Sequence, residues 1–148
     1  MKKLQIKVLS SDVPLPEYAT PGSAGMDLCA NVPEVTEIAP GETIRVPTGI
    51  AIALPDALHV ALICARSGLS IRHGITLANG VGVIDSDYRG EILVGLYNQS
   101  DRVYAIEPGE RIAQMLILPI CRPDLDVCES LDETERGAGG FGSTGRIS

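Results

Sequence analysis

Apolar residues in this chain fall in short runs that are typical of β-strands. The segment from Leu4 to Val8 alternates apolar and polar positions, as a strand with one buried face does. Frequent glycine and proline turns separate the other runs, for example at Pro40–Gly41, Pro55–Asp56 and Pro108–Gly109. Short strands between such turns predict an all-β sandwich or barrel. The further runs of strand length are 43–46, 50–54, 60–64, 92–97 and 112–118.

One of these runs would also fit a helix. Residues 111–118 are apolar enough for either element, but the turn residues on both sides favour a buried strand. One helical turn is predicted near Ser67 to Arg72. The chain contains no internal repeat. We expect a β domain over residues 1–131 and a flexible arm over residues 132–148, which is rich in glycine from about Arg136.

Composition predicts a packed domain with an aliphatic core. Of the 148 residues, 45% are hydrophobic, and the aromatic ones are four tyrosines and one phenylalanine. The net charge of −7 argues against a nucleic-acid partner, because a broad binding surface needs clustered cations to displace phosphate counterions. A small polyphosphate pocket stays compatible with that charge, since a few placed arginines outweigh distant acidic groups.

The cysteines and the apolar runs bear on location. Cys29, Cys64, Cys121 and Cys128 form no C-x-x-C pair, so a zinc site is not expected. The first residues lack the apolar stretch of a signal peptide, and no run is long enough to span a bilayer. We therefore expect a cytoplasmic protein with reduced thiols and no membrane partner.

Two segments in the first half combine small residues with a charge. In Gly22–Leu28, Asp27 follows small residues and could hold a hydrated metal ion, or it could bond its own backbone in a turn. Ala65–Ser70 contains an arginine, a hydroxyl and a glycine in sequence, a set that suits phosphate oxygens. The alternative for that segment is a helix cap in which Ser67 bonds free amides.

The segment from Asn79 to Glu91 carries two carboxylates and a tyrosine. Apolar residues flank Asp85-Ser-Asp-Tyr88, so a β-hairpin is predicted there. One carboxylate on that turn could act as a general base, and the amide of Asn79 could pair with a nucleobase edge. The alternative is an ordinary Asp/Ser/Asp turn without a functional role.

Two further segments lie toward the C-terminus. Gln114 is a polar residue inside an apolar strand, so it needs a partner, either a ligand phosphate or a neighbouring backbone group. Phe141, the only phenylalanine, is flanked by glycines and follows Arg136 in a stretch that fits a mobile binding arm. The alternative is a disordered glycine tail.

Together these segments resemble, in order, the five motifs of the trimeric dUTPase family, the deoxyuridine triphosphate nucleotidohydrolases. Any one motif is weak, but five in order at suitable spacing are specific, and the resemblance extends from about Leu4 to Gly145. The matching segments are Ala24–Leu28, Ala65–Leu69, Gly82–Glu91, Gly109–Gln114 and Arg136–Gly145.

The resemblance implies a β-clip subunit, a distorted jelly roll, that assembles into a homotrimer. It implies Mg²⁺-dependent hydrolysis of dUTP to dUMP and pyrophosphate, a reaction that supplies dUMP and keeps uracil out of DNA. It also implies active sites between subunits, over which the C-terminal arm closes.

The resemblance further implies a role for each motif residue. Asp85 would activate the water that attacks the α-phosphorus, Tyr88 would lie against the deoxyribose, and Asp27 would contact Mg²⁺ through water. The uracil and nucleoside contacts would be Asn79, Val83, Ile84, Leu93 and the stacking ring of Phe141. The phosphate contacts would be Arg66, Ser67, Gly68, Gln114, Arg136, Gly142, Ser143 and Thr144.

Two alternative functions are compatible with parts of this pattern. The related dCTP deaminases have the same fold, but the Asp85–Tyr88 segment and the complete arm favour a dUTPase. A protein of this fold could also bind the nucleotide as a regulatory signal without hydrolysing it.

Overall fold

The computed structural model describes residues 3–140, and within that range the chain forms eleven β-strands and one short α-helix. The prediction of an all-β protein is confirmed, and all six predicted strands and the predicted helical turn are present. The elements are β1 (Gln5–Val8), β2 (Met26–Cys29), β3 (Thr36–Ile38), β4 (Thr43–Pro47), β5 (Ile50–Ala53), β6 (His59–Cys64), α1 (Ser67–His73), β7 (Ile75–Leu77), β8 (Gly82–Ile84), β9 (Leu93–Asn98), β10 (Tyr104–Ile106) and β11 (Arg111–Pro119).

The strands form four antiparallel sheets. The largest has the order β2-β11-β6-β8, the next has the order β4-β9-β7, and two pairs, β1-β5 and β10-β3, complete the set. The nine-residue strand β11 pairs with β2 on one side and with β6 on the other. This strand therefore aligns three distant parts of the sequence in one sheet.

The core is aliphatic, as the composition predicts. Its fully buried side chains come from nearly every sheet, and each contributes about 1.5–3 kcal/mol through the apolar area it removes from water. The largest are Leu28, Ile38, Val46, Ile75, Ile92, Val94, Leu96, Ile106, Ile112 and Met115.

The main polar group of this core is fully hydrogen-bonded. The amide nitrogen of Asn98 donates to the carbonyl oxygens of Ile38 and Arg102, at 2.8 and 2.7 Å. Its oxygen accepts bonds from the backbone N–H and the hydroxyl of Ser100. Because a buried amide costs free energy unless it is paired, these bonds explain why a polar residue is tolerated at 0% exposure.

The predicted hairpin around Asp85 is wrong. β8 pairs with β6 through residues 61–63, whereas β9 pairs with β4 and β7 in the other large sheet. Each apolar arm thus has its partner strands elsewhere, and residues 85–92 instead connect two sheets.

The chain leaves the packed part of the molecule after β11. The N–H of Ile120 still donates to the carbonyl of Leu58 at 2.9 Å, but residues 121–138 are exposed. Leu125 and Val127 have exposed fractions of 93% and 95%. The domain boundary at residue 131 and the flexibility of the arm stay predictions, and residues 141–148 lie outside the described range.

Within residues 3–140, no helix has the length and apolar character that crossing a bilayer requires.

Candidate active site

Strand pairing brings the first, second and fourth motifs together. Gln114 of β11 lies opposite Asp27 of β2 on one side and opposite Cys64 of β6 on the other. Since β6 ends at Cys64, the next residues, Ala65 and Arg66, leave the sheet beside Gln114. The sequence places these residues up to 87 positions apart, and the sheet makes them neighbours.

Asp27 forms ion pairs with two arginines. Its Oδ1 lies 2.9 Å from Nε of Arg66, and its Oδ2 lies 3.1 Å from Nη1 of Arg111. The Asp27 side chain is only 17% exposed, so solvent screens these pairs less than it screens surface pairs. The turn in which Asp27 bonds its own backbone is therefore wrong, because the residue lies in β2 and its carboxylate binds distant cations.

The two arginines are also linked directly. Nη1 of Arg66 donates to the backbone carbonyl of Arg111 at 3.0 Å. Arg66 is thus fixed by two of its nitrogens, one on Asp27 and one on the start of β11. A guanidinium held in this way has little rotamer freedom left to lose when it binds an anion.

Gln114 has a backbone partner. Its Nε2 donates to the carbonyl of Ala65 at 3.0 Å, which ties β11 to the segment that carries Arg66. Gly25 lies against the same amide, because a Cβ at that position would be 3.0 Å from Oε1 of Gln114. The structural partner that the sequence left open for Gln114 is present, and its role toward a phosphate stays a prediction.

Helix α1 begins directly after Arg66. Arg66 is the N-cap residue with an extended backbone, and no side chain caps the helix, so the alternative of a cap by Ser67 is wrong. Ser67 and Gly68 are exposed in the first turn of α1, and an added Cβ at Gly68 would meet open space. Both residues are therefore accessible to a ligand.

These residues surround one cavity of about 440 Å³. Its polar lining contains two guanidiniums, one carboxylate, two hydroxyls and an amide, so the formal charge is +1 from two cations and one anion. Such a set of forked cations and neutral donors suits a polyanionic ligand. The residues that line this cavity include Asp27, Arg66, Ser67, Gly68, Arg111 and Gln114.

Residues of the third motif form a separate, smaller cavity. Asn79, Val83, Ile84 and Leu93 surround a space of about 100 Å³ beside the ends of β8 and β9. The side chains of Val83 and Leu93 are exposed by 60% and 46%, which is unusual for apolar residues in strands. An apolar cavity with one amide is suited to a flat ring that carries a hydrogen-bonding edge.

Asp85 lies at a third cavity, which it shares with His59, Asp87 and Arg122. Its carboxylate is exposed, and its backbone carbonyl accepts a bond from the N–H of Tyr88 at 3.2 Å. Asp85 therefore directly follows Ile84, which lines the Asn79 cavity, but it lies outside the cavity of the two arginines.

Tyr88 folds back over its own loop. Its hydroxyl donates to the carbonyl of Glu91 at 3.0 Å, and the ring lies against Gly90. A Cβ at Gly90 would lie only 2.6 Å from Cζ of Tyr88, so the ring position requires glycine there. Nη1 of Arg89 donates to the carbonyls of Ser86 and Tyr88, both at 2.8 Å, which fixes the same loop from outside.

One described chain does not bring all the predicted site residues together. The cavity at Arg66 and the cavity at Asn79 share no lining residue, and Asp85 lines neither of them. Nε of Arg136 donates to the carbonyl of Gly139, a local contact within the arm. Phe141, Gly142, Ser143 and Thr144 lie outside the described residues.

Arg111 lines this site, although the sequence motifs did not single it out. Arg111 belongs to the fourth motif, but the pattern assigned a function only to Gln114. The available signal was its position three residues before Gln114, at the start of a buried strand, where a charged residue is unusual.

These features define an all-β subunit with one cavity lined by two arginines and a separate, smaller cavity lined by aliphatic side chains, glycines and one asparagine. A family model described as dUTPase matches residues 11–145. A deoxyuridine 5'-triphosphate nucleotidohydrolase from Serratia proteamaculans is 50% identical over 150 residues, with 99% of each chain covered. One from Polynucleobacter asymbioticus is 50% identical over 148 residues with the same coverage. The chain belongs to the dUTPase family, and the predicted resemblance is confirmed.

Solved structures agree with this assignment. A mutant dUTPase of Staphylococcus bacteriophage 80alpha with dUpNHpp superposes with a TM-score of 0.89 at 29% identity, covering 99% of this chain and 100% of that one. The dUTPase from phage phi11 of S. aureus has a TM-score of 0.78 at 24% identity, with 89% of this chain and 99% of that chain covered, and supports the fold alone. The predicted β-clip subunit of a dUTPase-type enzyme is confirmed.

Proposed function

We propose that this protein hydrolyses dUTP to dUMP and pyrophosphate, through attack of an Asp85-activated water on the α-phosphorus. The observation that carries the proposal is the cavity of Asp27, Arg66 and Gln114, in which cations and neutral donors face open space. Phosphoryl transfer needs positioning and charge neutralisation rather than a covalent intermediate, and a cavity of this composition supplies both toward a polyphosphate.

The triphosphate binds at the arginine-lined cavity. Arg66 offers the guanidinium nitrogen that neither Asp27 nor the Arg111 carbonyl uses, while Ser67 offers a hydroxyl and Gly68 a backbone amide in the first turn of α1, where no intrahelical acceptor exists. Charge-assisted bonds of this kind are roughly twice as strong as neutral ones. Gln114 adds a neutral contact from the strand beside them.

The deoxyuridine moiety binds at the Asn79 cavity. The amide of Asn79 and the backbone near Val83 and Ile84 pair with the uracil edge, and Leu93 contacts the nucleoside. A site that pairs with one base edge leaves buried groups unpaired when another base enters, so it discriminates uracil from cytosine. Tyr88 lies against the deoxyribose and excludes a 2′-hydroxyl, and Phe141 of the arm stacks on the base.

Asp85 orients and deprotonates the attacking water. Its carboxylate is exposed on the loop next to the Asn79 cavity, where a bound nucleoside would bring the α-phosphorus close to it. General-base catalysis of this kind contributes about 10²–10⁴ in rate.

The residues around Asp27 suit a Mg²⁺ ion that keeps its water ligands, rather than a metal ion bound directly by several protein side chains. Within residues 3–140, no group of three or more His, Cys, Asp or Glu side chains could hold a metal ion. Each Asp27 oxygen already pairs with an arginine nitrogen, but a carboxylate oxygen has a second lone pair that can accept a bond from a metal-bound water. Mg²⁺ retains its waters readily and takes further ligands from substrate phosphates, where it neutralises negative charge.

We also propose a homotrimer in which one subunit's Asn79 cavity faces another's Arg66 cavity. The support is the separation of these two cavities within one chain and the exposed apolar side chains at Val83, Leu93, Leu125 and Val127. Light scattering should give three times the monomer mass, and a monomeric mass would contradict shared sites. The cytoplasmic location and the role in dUMP supply stay predictions.

Pyrophosphate release from dUTP, dTTP, dCTP and UTP in the presence of Mg²⁺ tests the function. We expect release from dUTP alone at a substantial rate, because Asn79 selects the base edge and Tyr88 excludes the ribose. Ammonia released from dCTP would instead identify a deaminase. Tight binding of dUTP without pyrophosphate release would identify a nucleotide-binding regulator.

The Gly90→Ala variant tests the position of the Tyr88 ring. The added methyl group would overlap the ring, so Tyr88 must move away from its bond to the Glu91 carbonyl. We expect the ratio of UTP to dUTP hydrolysis to rise at least about fivefold, because a displaced ring no longer excludes the 2′-hydroxyl. Gly22→Ala is the matched control, since an added Cβ there meets no described atom within 4 Å. An unchanged ratio in Gly90→Ala would remove Tyr88 as the sugar-selecting residue.

A further inference from the structure

Arg111 stands at the one irregular point of its strand pair. β11 and β2 pair in register from Ala113 to Met115, and the register shifts between Arg111 and Ala113. A bulge of this kind changes the direction in which a side chain leaves the sheet. Without the shift, Arg111 would continue the alternation of β11, whereas with it the guanidinium reaches Asp27 across the strand pair.

The environment of Arg111 is that of a binding residue rather than of a structural one. Its side chain is 55% exposed, compared with 29% for Arg66 and 17% for Asp27. It lines the same cavity as Ser67 and Gln114. A cation that served only to neutralise Asp27 would not need this exposure, because Arg66 already pairs with that carboxylate at 2.9 Å.

The donor count of Arg111 leaves capacity for a ligand. A guanidinium carries five N–H donors, and among residues 3–140 Arg111 uses Nη1 toward Asp27. The remaining four donors are one on Nε, the second on Nη1 and two on Nη2, and they belong to a group that one carboxylate oxygen already holds in place.

The charges are also arranged for an anion. A single carboxylate joins two guanidiniums, which leaves the cluster with a formal charge of +1 on a chain whose net charge is −7. Asp27 keeps the two cations close together without cancelling both. Two guanidiniums that are held by the same carboxylate can contact different oxygens of one polyphosphate.

We propose that Arg111 is a further substrate-binding residue that contacts the polyphosphate of the nucleotide, and that Asp27 positions Arg66 and Arg111 as a pair for this purpose. The inference rests on the proposed function, because it takes the ligand of this cavity to be a nucleoside triphosphate. It adds a second arginine of this cavity to the phosphate contacts and gives Asp27 a role toward cations.

Calorimetric binding of dUpNHpp and steady-state hydrolysis of dUTP test this role in the Arg111→Gln variant. We expect the Kd for dUpNHpp and the KM for dUTP to rise at least about tenfold, because a charge-assisted contact is lost. The affinity for dUMP should fall by a smaller factor, since it carries one phosphate instead of three. Equal losses for both ligands would indicate a structural defect and overturn the proposal.

Two further variants make the result decisive. Arg102→Gln removes another exposed arginine, which is paired at 3.8 Å with Asp101 outside the cavity, and it should leave both constants unchanged. Arg111→Lys keeps the charge but not the forked donors, so it should recover only part of the affinity. If Arg111→Gln does not fold, Arg111→Lys decides alone, and a Kd within about twofold of the wild-type value overturns the proposal.

The measurements also separate this inference from the proposed function. If the wild-type protein binds dUpNHpp but releases no pyrophosphate from dUTP, hydrolysis is wrong, and the Kd of Arg111→Gln still decides the role of Arg111. If the wild-type protein does not bind dUpNHpp, both proposals are wrong. Unchanged binding in Arg111→Gln alongside normal hydrolysis by the wild type overturns only the role of Arg111.

Discussion

Replacement of Asp85 by asparagine is expected to lower the turnover of dUTP by at least about 10²-fold while dUTP binding is retained. The amide keeps the size of the side chain but cannot accept a proton from water. The carboxylate of Asp85 takes part in no ion pair or hydrogen bond within the described residues, so its replacement removes no contact of the fold. The measurement is kcat for pyrophosphate release together with the Kd for dUpNHpp.

Asp87→Asn is the matched control for that experiment. Asp87 lies two residues away on the same exposed loop and borders the same cavity, and its substitution makes the same change in charge. We expect its kcat to stay within about fivefold of the wild-type value, because it has no role as a base. Near-normal turnover in Asp85→Asn would remove Asp85 as the general base, whereas equal losses in both variants would show that only the loop charge matters.

Removal of the chain after Glu135 is expected to give a folded protein with turnover reduced by about 10²-fold or more. The described residues beyond β11 are exposed from residue 121 to residue 138, and the buried core ends at Met115. The deletion should therefore leave the melting temperature nearly unchanged. It removes Arg136 and Phe141, which the motif pattern assigns to the γ-phosphate and to the base.

A shorter deletion provides the control for the truncated protein. Removal of residues 146–148 leaves the fifth motif intact, so its turnover should equal that of the full chain. Light scattering and thermal unfolding of both deletion variants report on assembly and on the core. If the protein that ends at Glu135 aggregates or loses its assembly, the arm is a structural element, and the loss of activity would have that cause.

The larger strands could be predicted from the sequence because their apolar runs are long enough to be recognised without knowledge of the partner strands. β6 and β11 have six and nine residues, and each is bounded by turn signals or prolines. The core followed from composition, since a chain with few aromatic residues must fill its interior with aliphatic ones. These features depend on local pattern, which a single sequence contains.

The short strands could not be predicted in the same way. β3 and β10 have three residues each and form a two-stranded sheet with each other, although some 66 positions separate them in sequence. Such strands are stabilised by a distant partner rather than by their own residues. The hairpin at Asp85 was predicted wrongly for the same reason, because the better partners of β8 and β9 lie far away in the chain.

Part of the candidate site could be predicted from the sequence. Motif order identified Asp27, Arg66 and Gln114, but the type of contact that each makes depends on strand register. Asp27 appeared as a turn residue or a metal contact, and the structure pairs it with two arginines. Arg111 had no distinctive local pattern, because its function depends on a bulge that only the pairing of β11 with β2 defines.

The position of β11 between two partners limits how this chain can vary. Gln114 is aligned with Asp27 on one side and with Cys64 on the other, so a single inserted or deleted residue in β11 would reverse its side-chain faces and break both alignments. Substitutions at exposed positions of this strand leave its length intact. Variation in length is therefore excluded from residues 111–119, whereas the fold itself tolerates it between residue 120 and the fifth motif, where the exposed chain makes no sheet contacts within the described range.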